Sequence, residues 1–143
     1  MNKTFRGLLA DGGEDRIRLS TNKGLTGYQI VKLQIITEEP YGGSTGEHIV
    51  QVSQFSKTPS ATVDFTNPTI LGVAIINNST AGYQYASNPV IIFDNTTINQ
   101  DIYISHVDNS SSLKCNYYIE LKQIKLSNDE ATVATLKDMR GRE

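Results

Sequence analysis

Asn116-Tyr117-Tyr118-Ile119-Glu120-Leu121-Lys122-Gln123-Ile124-Lys125-Leu126 is the stretch on which the fold class turns. It is rich in aromatic and β-branched residues, polar and apolar positions alternate along most of it, and neither Gly nor Pro interrupts it. It reads as one long strand. Its parity changes part-way: Tyr117, Ile119 and Leu121 share one face, and Ile124 and Leu126 share the other. A β-bulge near Lys122-Gln123 would return both sets to one core.

Ser127-Asn128-Asp129-Glu130 ends the strand with a capping-box pattern. Ser127 can accept from the backbone N–H of Glu130, and Glu130 can reach back to the N–H of Ser127. A helix is expected over 128–139, about 18 Å long. Asp129 and Glu130 suit its N-terminal dipole, and Lys137 and Arg140 its C-terminal one. So short a helix is marginal alone in water. Its apolar residues Ala131, Val133, Ala134, Leu136 and Met139 are too few for a core. It has to dock, first of all on its own body, otherwise on a neighbouring molecule.

Upstream, the pattern is strands and turns. Segments 5–10 and 16–21 bracket Asp11-Gly12-Gly13-Glu14-Asp15, which reads as a hairpin. In the second segment Ile17 and Leu19 point one way, and Arg16, Arg18 and Ser20 the other. Segment 28–37 is a strand with Val31, Leu33 and Ile35 inward. A Pro- and Gly-rich loop around Pro40 and Tyr41 separates it from strand 48–55. Segment 57–68 is a long connection with a short edge strand at 61–65. Strands over 69–77, 89–93, 101–107 and 113–126 complete the set, and 78–88 is a loop holding Tyr83 and Tyr85.

About eight strands at this spacing imply two packed antiparallel sheets. The expected fold is an all-β sandwich, jelly-roll-like, with an immunoglobulin-like sandwich as the alternative. Residues 1–126 form the body and 127–143 the helical tail of one domain. At 143 residues the chain is large enough to bury a real core.

The formal net charge is −2, with 13 basic and 15 acidic residues spread along the chain. Without a basic stripe, nucleic acid is not an expected partner. No apolar run is long enough for a membrane helix, and the N-terminus lacks the apolar stretch of a signal peptide. One cysteine, Cys115, suits a reducing compartment. Synthesis in a cytoplasm is the expectation.

Asp11, Glu14 and Asp15 around two glycines offer oxygens to a hard cation, but their spacing matches no calcium loop; a turn is the better reading. His48, His106 and Cys115 are the soft ligands of the chain. They are far apart in sequence and show no C-x-x-C or H-x-x-x-H spacing, so no metal site is expected. With Lys114 beside it, Cys115 makes only a weak case for a nucleophile, and a small buried core residue is the better reading. No P-loop, G-x-G-x-x-G or G-x-S-x-G is present. The chain is expected to be no enzyme and to carry no cofactor. Tyr41, Tyr83 and Tyr85, set among Gly, Ser and Asn, have the composition of a contact surface. With Val133, Leu136 and Met139 of the helix they are the candidate partner-contact residues.

Gly27-Tyr28-Gln29-Ile30-Val31-Lys32-Leu33, Ile98-Asn99-Gln100-Asp101-Ile102-Tyr103-Ile104, Asn116 to Leu121 and Ala131-Thr132-Val133-Ala134-Thr135-Leu136-Lys137-Asp138 resemble small structural proteins from the virions of tailed bacteriophages, particularly of marine bacteria. The resemblance implies a capsid decoration (cement) protein seated on the exterior of the head. Its partners would be the major capsid protein and neighbouring copies of itself, in a possible homotrimer, with no membrane involved. It would be made in the host cytoplasm and end in the virion. The alternatives are a tail, baseplate or head–tail component, or a carbohydrate-binding module using the loop tyrosines; the lack of Trp speaks against the module.

Overall fold

The computed structural model describes residues 2–21, 24–39, 46–78, 89–93, 96–110 and 112–141. Eight strands and one helix follow in order: β1 Asn2–Leu9, β2 Glu14–Ile17, β3 Thr26–Thr37, β4 Gly46–Ser53, β5 Ile70–Asn78, β6 Val90–Ile92, β7 Ile102–Asp108, β8 Cys115–Lys125 and α1 Asn128–Gly141. They build two sheets, a three-stranded one in the order β1-β8-β3 and a five-stranded one in the order β2-β7-β4-β5-β6. All pairings are antiparallel. The inward residues of both sheets form one core around Val50, Val52, Ile102, Ile104, Ile119 and Leu121, each fully buried. This is the all-β sandwich that the strand spacing implied.

The long strand at 116–126 is the centre of the three-stranded sheet, flanked by β1 and β3. The bulge expected within it lies elsewhere. β8 keeps an unbroken register through Lys122 and Gln123, and the shift falls on its partner β3, between Ile30 and Lys32. Val31 is the extra residue. It is 46% exposed, and Ile30 is buried in its place. The bulge serves β3 itself, so that Tyr28 and Ile30 before it and Leu33 and Ile35 after it all face the core; β8 keeps one parity, with Tyr117, Ile119 and Leu121 buried and Ile124 only partly buried.

The expected N-terminal hairpin does not form either. β1 pairs with β8, and β2 pairs with β7 in the opposite sheet. Local turn chemistry at 11–13 allows a reversal, with Gly12 at φ 78°. The segment is instead captured by β7: Gly12 N–H donates to the carbonyl of His106, and His106 N–H to that of Gly13. Leu9 and Ile17 then reach the same core from opposite layers, which a flat hairpin would not permit. The alternation of Ile17 and Leu19 against Arg16, Arg18 and Ser20 holds.

No strand forms at 61–65. That connection is pinned by side chains. The Gln51 amide donates to the carbonyls of Ser60 and Thr62, at 3.0 Å each, and Lys57 Nζ donates to Gln51 Oε1. Gln51 sits in the middle of β4 and is buried, so its amide satisfies loop carbonyls that would otherwise lose water without gaining a partner.

The capping box forms as written: Glu130 N–H donates to Ser127 Oγ and Ser127 N–H to Glu130 Oε1, both at 3.2 Å. The helix docks on its own body through small residues. Ala131 and Ala134 are buried. The Asn99 side-chain amide donates to the carbonyl of Ala131, to Thr135 Oγ1 and to the carbonyl of Gly24. Ser127→Ala is expected to destabilise α1 by about 1 kcal/mol, seen as faster amide hydrogen exchange in residues 128–134 with protection of β8 unchanged.

Candidate functional site

Two features stand out, one inside the sandwich and one on its surface. The inner one joins residues whose spacing in the chain carried no signal. β4 and β7 run antiparallel with His48 opposite Asp108 and Val50 opposite His106. His48 and His106 are therefore diagonal neighbours on one face, within reach of each other. Both are 0% exposed. His48 Nδ1 lies 2.8 Å from His106 Nε2, and the rings stack with centroids 5.1 Å apart. Cys115 opens β8 in the other sheet, between Leu9 and Thr37, and faces the same point. One ring nitrogen from each histidine and the Cys115 Sγ lie within 4.8 Å of one another.

The proton positions follow from the partners. His106 Nδ1 is 3.0 Å from the carbonyl of Ala10, and a carbonyl only accepts, so Nδ1 carries the hydrogen. In the neutral ring Nε2 is then bare and accepts from His48 Nδ1–H. That leaves His48 Nε2 with a lone pair, and this atom is buried with no hydrogen-bond partner among the described residues. Gly46 is what leaves room for it: a Cβ there would fall 2.6 Å from His48 Nε2.

Burial pushes the His48 pKa down; Asp108 pulls it partly back and His106 pushes it further down. Its ring is neutral at neutral pH. Burial also lifts the Cys115 thiol, with a smaller push from Asp108, to about 12. Buried and protonated, this thiol is a poor nucleophile. Asp108 itself is depressed. Burial raises it, but the N–H groups of Glu47, Leu113 and Ser110 more than compensate.

The acidic trio of the first loop does not converge. Asp11 accepts from the N–H of Asp108, Glu14 from Ser56 and Lys57, and Asp15 from the Tyr117 hydroxyl at 2.8 Å. Each carboxylate fastens a different element. These residues fix the crossing from one sheet to the other.

The outer feature is the exposed side of α1. Val133, Leu136 and Met139 are 52%, 47% and 58% exposed. At spacings of three they line one side of the helix. Val133 also borders a cleft of about 820 Å³ between α1 and the body, lined among others by Gln54, Pro68, Thr97, Leu126 and Lys137. Tyr41, Tyr83 and Tyr85 lie outside the described residues. Among the described residues no helix is long and apolar enough to cross a membrane.

No protein-family model and no curated protein sequence matches the chain. Among solved structures, a chain described under "Bacillus endospore appendages form a novel family of disulfide-linked pili" is similar, with a TM-score of 0.41 and 7% identity over 89% of this chain and 88% of that one. A likeness at that level carries no argument about function.

Proposed function

We propose that this protein is a structural component of a virus particle, a capsid decoration protein that binds the outside of a bacteriophage head and stabilises it. The observation that carries the reading is the division of labour on α1. The helix uses Ala131 and Ala134 to dock and leaves its three largest apolar side chains facing out. A folded domain that has already buried a core gains nothing from such a row unless a neighbour covers it. The resemblance of the chain to small virion proteins supplies the kind of neighbour, namely capsid subunits and adjoining copies.

Each of these side chains is already about half buried, so covering the rest contributes about 1 kcal/mol before the costs of association are subtracted. A single copy would bind modestly. A lattice that lets each copy touch several subunits turns modest contacts into a stable shell. A helix face already formed on the folded body suits that role, because little ordering is required on binding.

The test is to quantify the protein in purified particles by mass spectrometry and locate it by image reconstruction. A copy number comparable to that of the major capsid protein, with density on the head exterior, is expected. A copy number far below it moves the protein to the tail, baseplate or head–tail junction. Absence from particles ends the proposal. The triple variant Val133→Ser, Leu136→Ser, Met139→Ser should keep the thermal midpoint of the parent within a few degrees, because these residues are exposed. It should fail to co-sediment with heads that lack the protein.

A further inference from the structure

We propose that His48, His106 and Cys115 form a buried binding site for one soft monovalent metal ion, Cu(I), joining the two sheets of the sandwich. The proposal is independent of the virion reading and would survive its failure. The chain has two histidines and one cysteine, and all of its imidazole and thiol groups meet within 4.8 Å. They come from three separate strands and from both sheets. None has an exposed edge through which to serve at the surface.

The second, independent observation is the orphaned nitrogen. His48 Nε2 is enclosed and has no hydrogen-bond partner among the described residues. With no partner at Nε2, nothing on that side of the ring fixes the tautomer of His48, so its hydrogen can sit on either nitrogen. His106 is already oriented as a ligand: its Nδ1–H is held by the Ala10 carbonyl, which points the bare Nε2 inward, the arrangement in which metal-binding imidazoles are usually fixed. His48 would ligate through Nδ1, the nitrogen that faces His106 Nε2, with its hydrogen moved to Nε2 and the ring still neutral. Two nitrogens at about 2.0 Å from one ion in a trigonal array stand about 3.5 Å apart. The His48–His106 pair, now 2.8 Å, would open by less than about 1 Å.

Charge and ligand number select the ion. Two neutral imidazoles and one thiolate supply soft ligands, and such ligands select Cu(I) over hard cations. As the metal–sulfur bond forms, the Cys115 thiol gives its proton to the buffer. No electron is transferred. The resulting thiolate and the monovalent ion cancel, so the complex carries no net charge into the core. A divalent ion would leave one positive charge there, and Zn(II) would also require a fourth ligand. Asp108, the carboxylate whose charge acts on both His48 and Cys115, already accepts from three backbone N–H groups.

The full chain, reduced and stripped of metal, is titrated anaerobically with Cu(I) against the coloured chelator bicinchoninate, and in parallel with Zn(II). The expected result is one Cu(I) per chain by native mass spectrometry, and one sulfur and two nitrogen neighbours by X-ray absorption. The thermal midpoint should rise by about 5–10 °C at a hundredfold excess of free ion over Kd. Cys115→Ser should weaken binding more than tenfold. Should that variant fail to fold, the sulfur neighbour in the wild-type spectrum carries the same information. No one-to-one species, a bound ion without a sulfur neighbour, or a midpoint raised by Zn(II) and not by Cu(I) would overturn the proposal.

Discussion

Ile30→Ala is expected to destabilise the protein by about 3 kcal/mol, and Val31→Ala, one residue later, by no more than about 0.5 kcal/mol. Strict alternation along 28–37 predicts the reverse, with Val31 in the core and Ile30 outside. The bulge reverses them. Ile30 is 3% exposed, packed in the core cluster opposite Leu121, while Val31 faces solvent. Removing a buried Ile side chain loses its transfer free energy and leaves a cavity between two sheets that cannot close on it. Removing two methyl groups from an exposed bulge residue does neither. Urea unfolding of both variants measures the difference as a shift of midpoint at constant slope. Equal losses, or a larger loss at Val31, would mean that the register of β3 is wrong.

Asp101→Ala should cost about 3 kcal/mol, for a different reason. This carboxylate stands just before β7 and is 7% exposed. Its Oδ1 accepts from the N–H of Leu19 at 2.8 Å and from the N–H and hydroxyl of Ser20 at 3.0 Å each. Its Oδ2 accepts from Arg16 Nε at 2.7 Å. One side chain thus ties the segment after β2 to β7. Without it the buried N–H of Leu19 loses its partner, which is the larger part of the cost. The Arg16 side chain is 54% exposed, so the ion pair itself adds little. Asp101→Asn keeps an acceptor for the backbone and should lose only about 1 kcal/mol.

The same network sets an acid dependence. Burial raises the Asp101 carboxyl, but the Ser20 N–H, Arg16, the Leu19 N–H and the Ser20 hydroxyl outweigh it and bring the pKa from 3.8 to about 2. The folded value lies below the unfolded one. The stabilisation is therefore complete above about pH 4 and is lost as pH falls through 2, about 2 kcal/mol in all. Unfolding free energies measured from pH 5 to pH 2 should fall less steeply for Asp101→Asn than for the parent. Parallel curves would remove Asp101 as the source.

Much of this molecule is readable in the chain because the signals are local. The alternation at 116–121 needs only the period of a pleated strand, and Ser127 with Glu130 needs only one helical turn. The inward pair Ile17 and Leu19 is legible for the same reason. The partner of each strand is another matter. Gly12 and Gly13 are as compatible with a crossing between sheets as with a hairpin. The choice belongs to β7, whose backbone takes up the loop at His106.

Sequence alone determined the strand-rich class, the single capped helix and the candidate row Val133, Leu136 and Met139, because hydrophobic period and capping act over a few residues. Tertiary structure alone decided which strand bends, which sheet each end of the chain joins, and that His48, His106 and Cys115 meet. Register between strands distant in the chain is set by the summed burial of both inner faces, and no short stretch of residues contains that sum.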